Sequence, residues 1–371
     1  MKTLKYVFLS IVLIVCSCEA FLDRNPLDSM SESSFFLSRR DLAAWNAGIY
    51  VALQNTLSSG HYEWGDVRSD LYGSTGNAYV PVRQYTNTLE ASQGEFNWAN
   101  LYTVITRCNT AIEKYPTIPD LEEADYSDYM GQAHGLRALM YFYAIRTWGD
   151  VPKVDKSWDG SLSGAQIPRS PISEIKTLIL SDIDDALRLL NVGLMGERKY
   201  AFNRAAAYAL KTDVHLWFGE DQDALDASEW FFMGDNVDNY RLISNMDDYR
   251  TIFIDPLASS ETIFTLFWDT GESGVNCDWC GRYGSKGGNG VSVNNGLRIS
   301  QRLFNDFVIR IRSPFGTDAR FVANYDTVGM YNSVGTPGNR PAIDFGHYNT
   351  SGTAAQSFLN KNIKYSPRPT T

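Results

Sequence analysis

The segment LRALMYFYAIRTWGDVP, residues 136–152, combines a long apolar run with an abrupt end. Its spacing predicts a helix from about residue 129 to Trp148. Gly149 and Pro152 follow, and glycine and proline are the residue types that end helices. The segment therefore predicts a helix with a sharp stop in the middle of the chain.

A helix pair further along the chain repeats one feature of this segment. Ala138 precedes Phe142 by four residues, and Ala227 precedes Phe231 by the same interval. Two helices are predicted at about 204–218 and 222–232, with Gly219 in the turn. Small residues let two helices approach closely while an aromatic ring fills the next groove, as in tetratricopeptide repeats. The units are irregularly spaced, which indicates a degenerate array with insertions. Ordinary helix packing with frequent alanine is the alternative.

Three more segments repeat apolar residues at helical spacing. The stripes are Leu42, Trp45, Ile49 and Leu53; Trp98, Leu101, Ile105, Cys108 and Ile112; and Ile172, Ile175, Ile179, Ile183, Ala186 and Leu190. Ser170 and Pro171 predict a start for the third helix with a capping side chain. On that helix Asp182, Asp184 and Asp185 are predicted to lie on the solvated side.

Beyond Tyr240 the sequence pattern changes to short β-like segments between loops rich in Gly, Asn and Ser. Residues 262–268 have strand character, and one more helix is predicted at about 298–309. The sequence therefore predicts a mainly α fold, an α-α superhelix of degenerate tetratricopeptide-like helix pairs with loop-rich, minor-β insertions.

The first residues of the chain have the features of a signal segment. Lys2 and Lys5 give a basic start, and residues 7–15 form an apolar run that is too short to span a bilayer. This is the length of a signal-peptide core. The cysteines of VCSCEA (15–20) follow, and a small residue directly before Cys18 is typical of a bacterial lipoprotein signal, with Cys18 carrying the lipid. An ordinary secretory signal with incidental cysteines is the alternative.

The composition is that of an ordinary folded body with an acidic balance. Hydrophobic residues make up 44% of the 371 residues and charged residues 20%, which excludes a disordered chain. The formal charge of −10 becomes −12 when Lys2 and Lys5 leave with the signal. An acidic surface repels phosphate backbones, so we predict no nucleic-acid partner.

The remaining cysteines predict no metal centre. Cys108 lies among apolar helical residues and is predicted to be a buried thiol. Cys277 and Cys280 form a CxxC in a glycine-rich loop, where a local disulfide is favoured and zinc is the alternative. A structural zinc needs two more ligands, and no second pair is present. We predict no cofactor.

The sequence carries no motif that supports catalysis. It contains no G-x-S-x-G elbow, H-E-x-x-H pair or G-x-x-x-x-G-K-[ST] loop. A glycosidase needs two carboxylates facing each other across a cleft, an arrangement that sequence does not reveal. We therefore predict that the protein binds a ligand and is not an enzyme.

Short phrases along residues 18–320 occur in an order that identifies a family. They are FLDRNP (21–26), FF (35–36), NAGIY (46–50), RSD (68–70), LRALMYF (136–142), WGDVP (148–152), RSP (169–171), DIDDAL (182–187), ETIF (261–264) and DAR (318–320). Together they resemble the SusD/RagB-type lipoproteins of bacterial outer-membrane nutrient uptake. Such proteins usually continue well beyond this point, so the chain resembles one truncated at the C-terminus.

The resemblance implies a location, a partner and a cargo. It implies a lipoprotein tethered through Cys18 to the outer membrane and exposed at the cell surface. This protein would capture a glycan and deliver it to a SusC-like TonB-dependent transporter. A peptide-binding RagB-like lid and a protein-only tetratricopeptide-like adaptor are the alternatives. The implied division is a signal peptide at 1–17, a helical region at 18–240 and a partial, loop-rich ligand-binding region at 241–371.

Two loops offer the side chains that saccharides need. Aromatic rings stack on the apolar faces of sugars, while Asp, Asn and Arg bind the hydroxyl groups. In the loops at 60–85 and 268–296, the predicted ligand residues are Trp279, Tyr283, Tyr79, Tyr72, Asp70, Asn77, Arg68 and Trp64. Trp64 can instead cover the repeats, and Asp70 can be a structural acceptor. The helical aromatics are predicted to be packing residues, and they are Trp98, Tyr102, Tyr141, Phe142, Tyr143 and Trp148.

Overall fold

The computed structural model describes residues 35–58, 64–69, 72–74, 86–90, 96–157, 166–190, 199–244, 252, 256–266 and 297–299. Within these ranges the chain is mainly helical. The helices are α1 Arg39–Leu57, α2 Ala99–Lys114, α3 Glu123–Trp148, α4 Ile172–Leu189, α5 Arg204–Trp217, α6 Asp221–Ser228 and α7 Asn236–Asn239. Short 3-10 turns occupy Asp66–Arg68, Tyr115–Thr117 and Glu229–Phe232. In this part of the chain no helix has the length and apolarity that a membrane crossing requires.

The long helices form a sequential array. Each of α1 to α5 packs against the next helix in the chain, and α3 contacts α1 and α5 as well. This is the architecture of an α-α superhelix, so the predicted fold class is confirmed. Apolar side chains of α1 to α5 form one continuous core, in which Leu42, Ile49, Leu101, Ile105 and Leu136 are fully buried.

Helix α3 lies at the centre of this core and is longer than the sequence predicts. It begins at Glu123, and it ends at Trp148 as predicted. Gly149 has a φ of 73°, a conformation that favours glycine because a Cβ there would be strained. The aromatic residues predicted to be packing residues all belong to the core or pack against it. Cys108 is buried, and burial raises the pKa of its thiol to about 12.

The start of α4 differs from the prediction. Ser170 does not cap the helix, because it belongs to a two-residue strand and Pro171 occupies the N-cap position. The free N–H of Ile172 instead donates to Asp150 Oδ1 at 3.0 Å. Strand β2 (Val151–Pro152) pairs antiparallel with β3 (Arg169–Ser170), and this pairing carries Asp150 to the helix start.

The pair α5–α6 is shorter than the sequence predicts. Ala224 and Ala227 are buried between helices as expected, but α6 ends at Ser228 and continues as a 3-10 turn. Phe231 does not fill a groove of the core. Its ring packs edge-on against Trp230 and Tyr240, outside the main cluster.

Two predictions for the later part of the chain are wrong where the structure describes it. Residues 262–266 are irregular and not a strand. Leu297–Ile299 forms strand β4, where a helix is predicted from residue 298. Residues 300–309 of that predicted helix lie outside the described residues. Strand β4 pairs antiparallel with β1 (Tyr72–Ser74). The local sequence pattern does not identify this distant partner strand.

Candidate functional site

A buried charged cluster joins α3 to α4. The guanidinium of Arg137 donates to both carboxylate oxygens of Asp182, at 2.8 Å and 2.7 Å. His134 Nδ1 lies 2.7 Å from Asp182 Oδ1. Burial works against the charge of Arg137, but the hydrogen bonds and charge of Asp182 outweigh it, so the pKa of Arg137 is raised. This cluster fixes the relative position of the two helices.

The prediction that Asp182 lies on the solvated side of α4 is wrong. The residue is 2% exposed. The sequence held a signal for this, since Asp182 follows the buried Ile179 by three residues and the buried Ile175 by seven, which places it on the same helix face. Asp184 is exposed as predicted.

The cluster also fastens the segment that follows α3. Arg137 Nη1 donates to Asn109 Oδ1 at 2.8 Å, and Asn109 Nδ2 donates to the carbonyls of Val154 and Lys156. The hydroxyl of Tyr141 accepts from the N–H of Val154 at 2.7 Å and lies 2.9 Å from its carbonyl oxygen. Residues 153–157 therefore leave the helical core in a fixed direction.

Two groups of histidine and acidic side chains come within metal-binding distance in the described part of the chain. They are His134, Asp182 and Asp185, and His215, Glu220 and Asp223. In the first group Arg137 occupies both oxygens of Asp182. In the second, Glu220 accepts hydrogen bonds from Lys176 and His215. Both groups are explained as ion pairs that join neighbouring helices.

The Glu220 contact makes stability depend on pH. Hydrogen bonds from Lys176 and then His215 hold the pKa of the Glu220 carboxyl below its usual range. A lowered folded-state pKa stabilises the fold above the unfolded value of about 4.3 and stops doing so as pH falls through the folded value. Replacing Glu220 with glutamine should therefore lower the thermal midpoint near neutral pH, and the difference from the parent should vanish at low pH. Thermal melts across pH check this, with the exposed Glu229→Gln as the control; an equal loss in both variants at all pH values would contradict it.

Trp64, a predicted ligand residue, belongs to the core. Its ring is 7% exposed and packs against Trp148 with 5.0 Å between centroids. Trp148 in turn contacts Trp98 and donates its indole N–H to the carbonyl of Phe96. A ring this deeply buried has no face to offer a ligand, so Trp64 anchors the first loop to α3.

Arg68, also a predicted ligand residue, holds the base of the same loop. Its Nε donates to Asn87 Oδ1 at 3.2 Å, and Asn87 Nδ2 donates back to the carbonyl of Arg68 at 3.1 Å. Asn87 adopts a φ of 53°, which asparagine tolerates better than most residues. The two ends of residues 69–86 are thereby held together.

The strand pair β1–β4 connects the two predicted ligand loops. Ser74 pairs with Leu297, and Tyr72 pairs with Ile299. Because the pair is antiparallel, the chain leaves β1 after Ser74 at the same end of the ribbon where it enters β4 at Leu297. For Tyr72 the structure describes the backbone. The predicted residues Asp70, Asn77, Tyr79, Trp279 and Tyr283, and Cys18, lie outside the described residues.

A cleft of about 440 Å³, here called the α1–α3 cleft, lies between α1 and the first half of α3. Residues 200–201 and Leu266 complete its wall. Its polar and aromatic lining residues are Asn46, Tyr50, Gln54, Asp128, Tyr129, Gln132 and Tyr200. The sequence did not reveal this cleft. Asn46, Tyr50 and Gln54 do recur every four residues, which is a sign of a shared face, but nothing in the sequence places α3 opposite them.

Comparison with known proteins gives this fold a family. A family model described as starch-binding and associating with the outer membrane, SusD-like, matches residues 20–216. The chain belongs to the SusD-like family. A SusD-like protein of Formosa agariphila is 30% identical over 262 residues, which cover 68% of this chain and 50% of that protein. The SusD-like chain thus spans about half the length of the curated relatives that it matches over most of its own length.

Solved structures share the fold of this SusD-like chain. A SusD superfamily protein of Bacteroides thetaiotaomicron has a TM-score of 0.68 at 20% identity, with 88% of this chain and 72% of that chain covered. A laminarin-binding SusD-like protein also has a TM-score of 0.68, at 18% identity, with 89% and 73% covered. At this identity the likeness establishes the fold alone.

Proposed function

We propose that this SusD-like chain belongs to a cell-surface lipoprotein that binds an oligosaccharide or polysaccharide and delivers it to a SusC-like TonB-dependent transporter. The observation that carries the proposal is the family match, because its description joins starch binding to association with the outer membrane. A structural relative with the same fold binds laminarin, which supports a glycan as cargo. In this proposal Cys18 carries the lipid, residues 1–17 are removed, and the protein has no catalytic role.

The proposed binding surface is built from the aromatic loops. Tyr72, Asn77 and Tyr79 lie on or after strand β1, while Trp279 and Tyr283 precede strand β4. The shared ribbon end supports the proximity of these residues, since the first segment begins after Ser74 and the second ends at Leu297, its pairing partner. Rings would stack on the apolar faces of sugar units, and Asp70 and Asn77 would bind hydroxyl groups. Trp64 and Arg68 serve this surface by holding the first loop to the helices.

The helical repeats are the part that we assign to the transporter. Around α5 and α6 several large apolar side chains are exposed, namely Leu216, Trp217, Leu225, Phe232 and Met233. A high number of exposed large apolar side chains in one part of the chain supports a contact with another protein there. In the proposed division the region to residue 240 carries this contact, and residues 241–371 contribute to the ligand surface.

Substitution of the loop aromatics tests the glycan proposal. We expect Trp279→Ala and Tyr79→Ala each to weaken polysaccharide retention by roughly tenfold or more, because a stacking ring of this kind is often a binding hot spot. Native gels containing laminarin or starch measure the loss as restored mobility. Trp217→Ala is the matched control, since Trp217 is exposed but lies on α5.

Four outcomes of this experiment are informative. Loss of retention in the loop variants alone supports a glycan-binding surface in these loops. Equal retention in all variants would contradict the assignment of these residues. Binding of peptides and of no polysaccharide would favour the peptide-carrying alternative, and an absence of both would favour a protein-only adaptor.

A further inference from the structure

A short unit at the end of the helical array packs on itself and on α5. We call residues 221–240 the α6–α7 unit, since they hold α6, the 3-10 turn that follows it, and α7. The turn packs against both helices, and α6 packs against α5. Within the turn the carbonyl of Trp230 accepts from Asn236 Nδ2 at 2.8 Å. The Trp230 ring stacks on the ring of Tyr208 in α5, with 4.9 Å between centroids. The unit therefore has a fixed shape and a fixed seat on α5.

The α6–α7 unit leaves large apolar side chains exposed to solvent. They are Leu225, Phe232, Met233 and Val237. Phe232 is 75% exposed, although the turn that carries it is ordered. The inner positions are taken by the rings of Trp230, Phe231 and Tyr240, which lie 5.2–6.0 Å from one another between centroids. Large apolar side chains exposed on so small a unit support a contact with another protein.

The ionisable side chains of the same unit are all acidic. Residues 221–240 include no lysine, arginine or histidine. The exposed carboxylates of the unit are Asp221, Asp223, Asp226, Glu229, Asp235 and Asp238. None of them forms a salt bridge with a residue that the structure describes. At the end of α5, Arg146 already pairs with Asp213. Lys176 already pairs with Glu220. Like charges without a counter-charge repel one another, and a cationic partner relieves that repulsion.

This combination of charge and apolarity narrows the kind of molecule that can cover the unit. A second copy that met the same unit face to face would bring like charges together. A phosphate-rich membrane surface or a nucleic acid is repelled for the same reason. A neutral apolar surface would take carboxylates out of water without a counter-charge, which is costly. A protein segment with apolar side chains flanked by lysine or arginine satisfies both features of the unit.

We infer that the α6–α7 unit docks a cationic amphipathic segment of a partner protein. Phe232 and Met233 contact the apolar side chains of that segment, and the carboxylates of the unit face its lysines and arginines. This docking rests on the proposed function only in that the helical repeats carry the protein contact. In that function the segment belongs to the transporter, and the new element is its chemistry. Charge pairing of this kind speeds association and makes it depend on salt.

A fluorescein-labelled amphipathic helix of leucine and lysine is a suitable probe, because it carries both features and no other chemistry. Fluorescence anisotropy with the full-length chain measures its affinity. One reference peptide replaces every lysine with glutamate, and a second has the same composition in an order without a continuous apolar face. We expect the leucine–lysine probe to bind at least roughly tenfold more tightly than either reference peptide, and its affinity to fall as salt rises.

The apolar half of the contact is tested by Phe232→Ser. We expect this substitution to weaken probe binding roughly tenfold, because interface energy is concentrated in a few side chains, often aromatic ones. Leu37→Ser is the matched control, since Leu37 is also exposed but lies before α1. The control should leave the probe affinity unchanged. Circular dichroism of both full-length variants establishes that they fold.

The charged half is tested by Asp235→Asn combined with Asp238→Asn. We expect probe affinity to fall roughly fivefold at low salt, and the difference from the parent to vanish at high salt, where screening removes it. Asp120→Asn combined with Glu122→Gln is the control, because it removes two exposed carboxylates from the connection between α2 and α3. The control pair should change the affinity by less than about twofold.

Equal probe affinity in Phe232→Ser and Leu37→Ser would overturn the inference, as would an equal loss in the two charge pairs. Binding of the glutamate peptide as tight as that of the probe, or no probe binding at low salt, would overturn it as well. Failure of the glycan proposal is a separate result. It would appear as unchanged mobility of the chain in polysaccharide gels, whatever the probe does.

Discussion

Replacing Asp182 with alanine is expected to lower the free energy of unfolding by about 3–5 kcal/mol, the usual cost of breaking a buried ion pair by removing one partner. The substitution leaves Arg137 charged in a site where its side chain is 6% exposed. It also removes the two carboxylate oxygens that accept from the guanidinium, and with them the partner of His134. The effect should spread to residues 153–157, because Arg137 holds Asn109, which fastens that segment.

Urea denaturation of the full chain, followed by circular dichroism, measures this loss. Asp184→Ala on the same helix is the matched control, because Asp184 is 63% exposed in its ion pair with Lys211. Exposed pairs contribute at most about 1 kcal/mol, so the control should change little. Equal destabilisation by the two substitutions would show that the buried cluster has no special role.

A methyl group added at Gly135 should destabilise the chain by about 1–3 kcal/mol, the typical cost of overpacking a core. A Cβ at this position would lie 2.0 Å from Cε1 of Phe202. Phe202 cannot easily move aside, since it is 2% exposed, its N–H donates to Tyr50, and its ring contacts Phe264. Gly135 is therefore required because α3 must approach the segment before α5 closely.

The same substitution at Gly48 provides a control of opposite sign. Gly48 lies inside α1, and among the described residues a Cβ there would meet only Arg107, at 3.6 Å, an ordinary contact. Alanine in a helix interior is more favourable than glycine by about 1 kcal/mol, so Gly48→Ala should be neutral or stabilising. Chemical denaturation of both variants checks the pair, and a stable Gly135→Ala protein would show that the two elements can separate at little cost.

The sequence predicted correctly those helix features that are set by residues close together in the chain. The end of α3 at Trp148 followed from Gly149 and Pro152, and the stripe of α4 followed from the spacing of its isoleucines. The start of α4 depended on a partner elsewhere. Asp150 reaches the helix start through the β2–β3 pairing, so the adjacent Ser170 was a misleading signal.

Features built from distant segments could not be predicted in the same way. Asp182 is buried because Arg137, 45 residues earlier, pairs with it. The α1–α3 cleft depends on Asn46 meeting Gln132, which lies 86 residues away. The four-residue spacing of polar side chains on α1 indicates that they share a helix face, but it does not indicate that α3 lies opposite that face. For Trp64 the sequence allowed two interpretations, ligand contact and core packing. The choice between them depends on where Trp148 lies, and the fold places Trp148 against the Trp64 ring.

We propose that this helical SusD-like body carries a saccharide-binding surface. The most direct measurement is the mobility of the unmodified full chain in native gels that contain laminarin, starch or another neutral polysaccharide, compared with a gel that contains none. We expect at least one polysaccharide to slow the chain while a non-binding marker protein is unaffected. Unchanged mobility in every polysaccharide gel, with the chain folded, would contradict it.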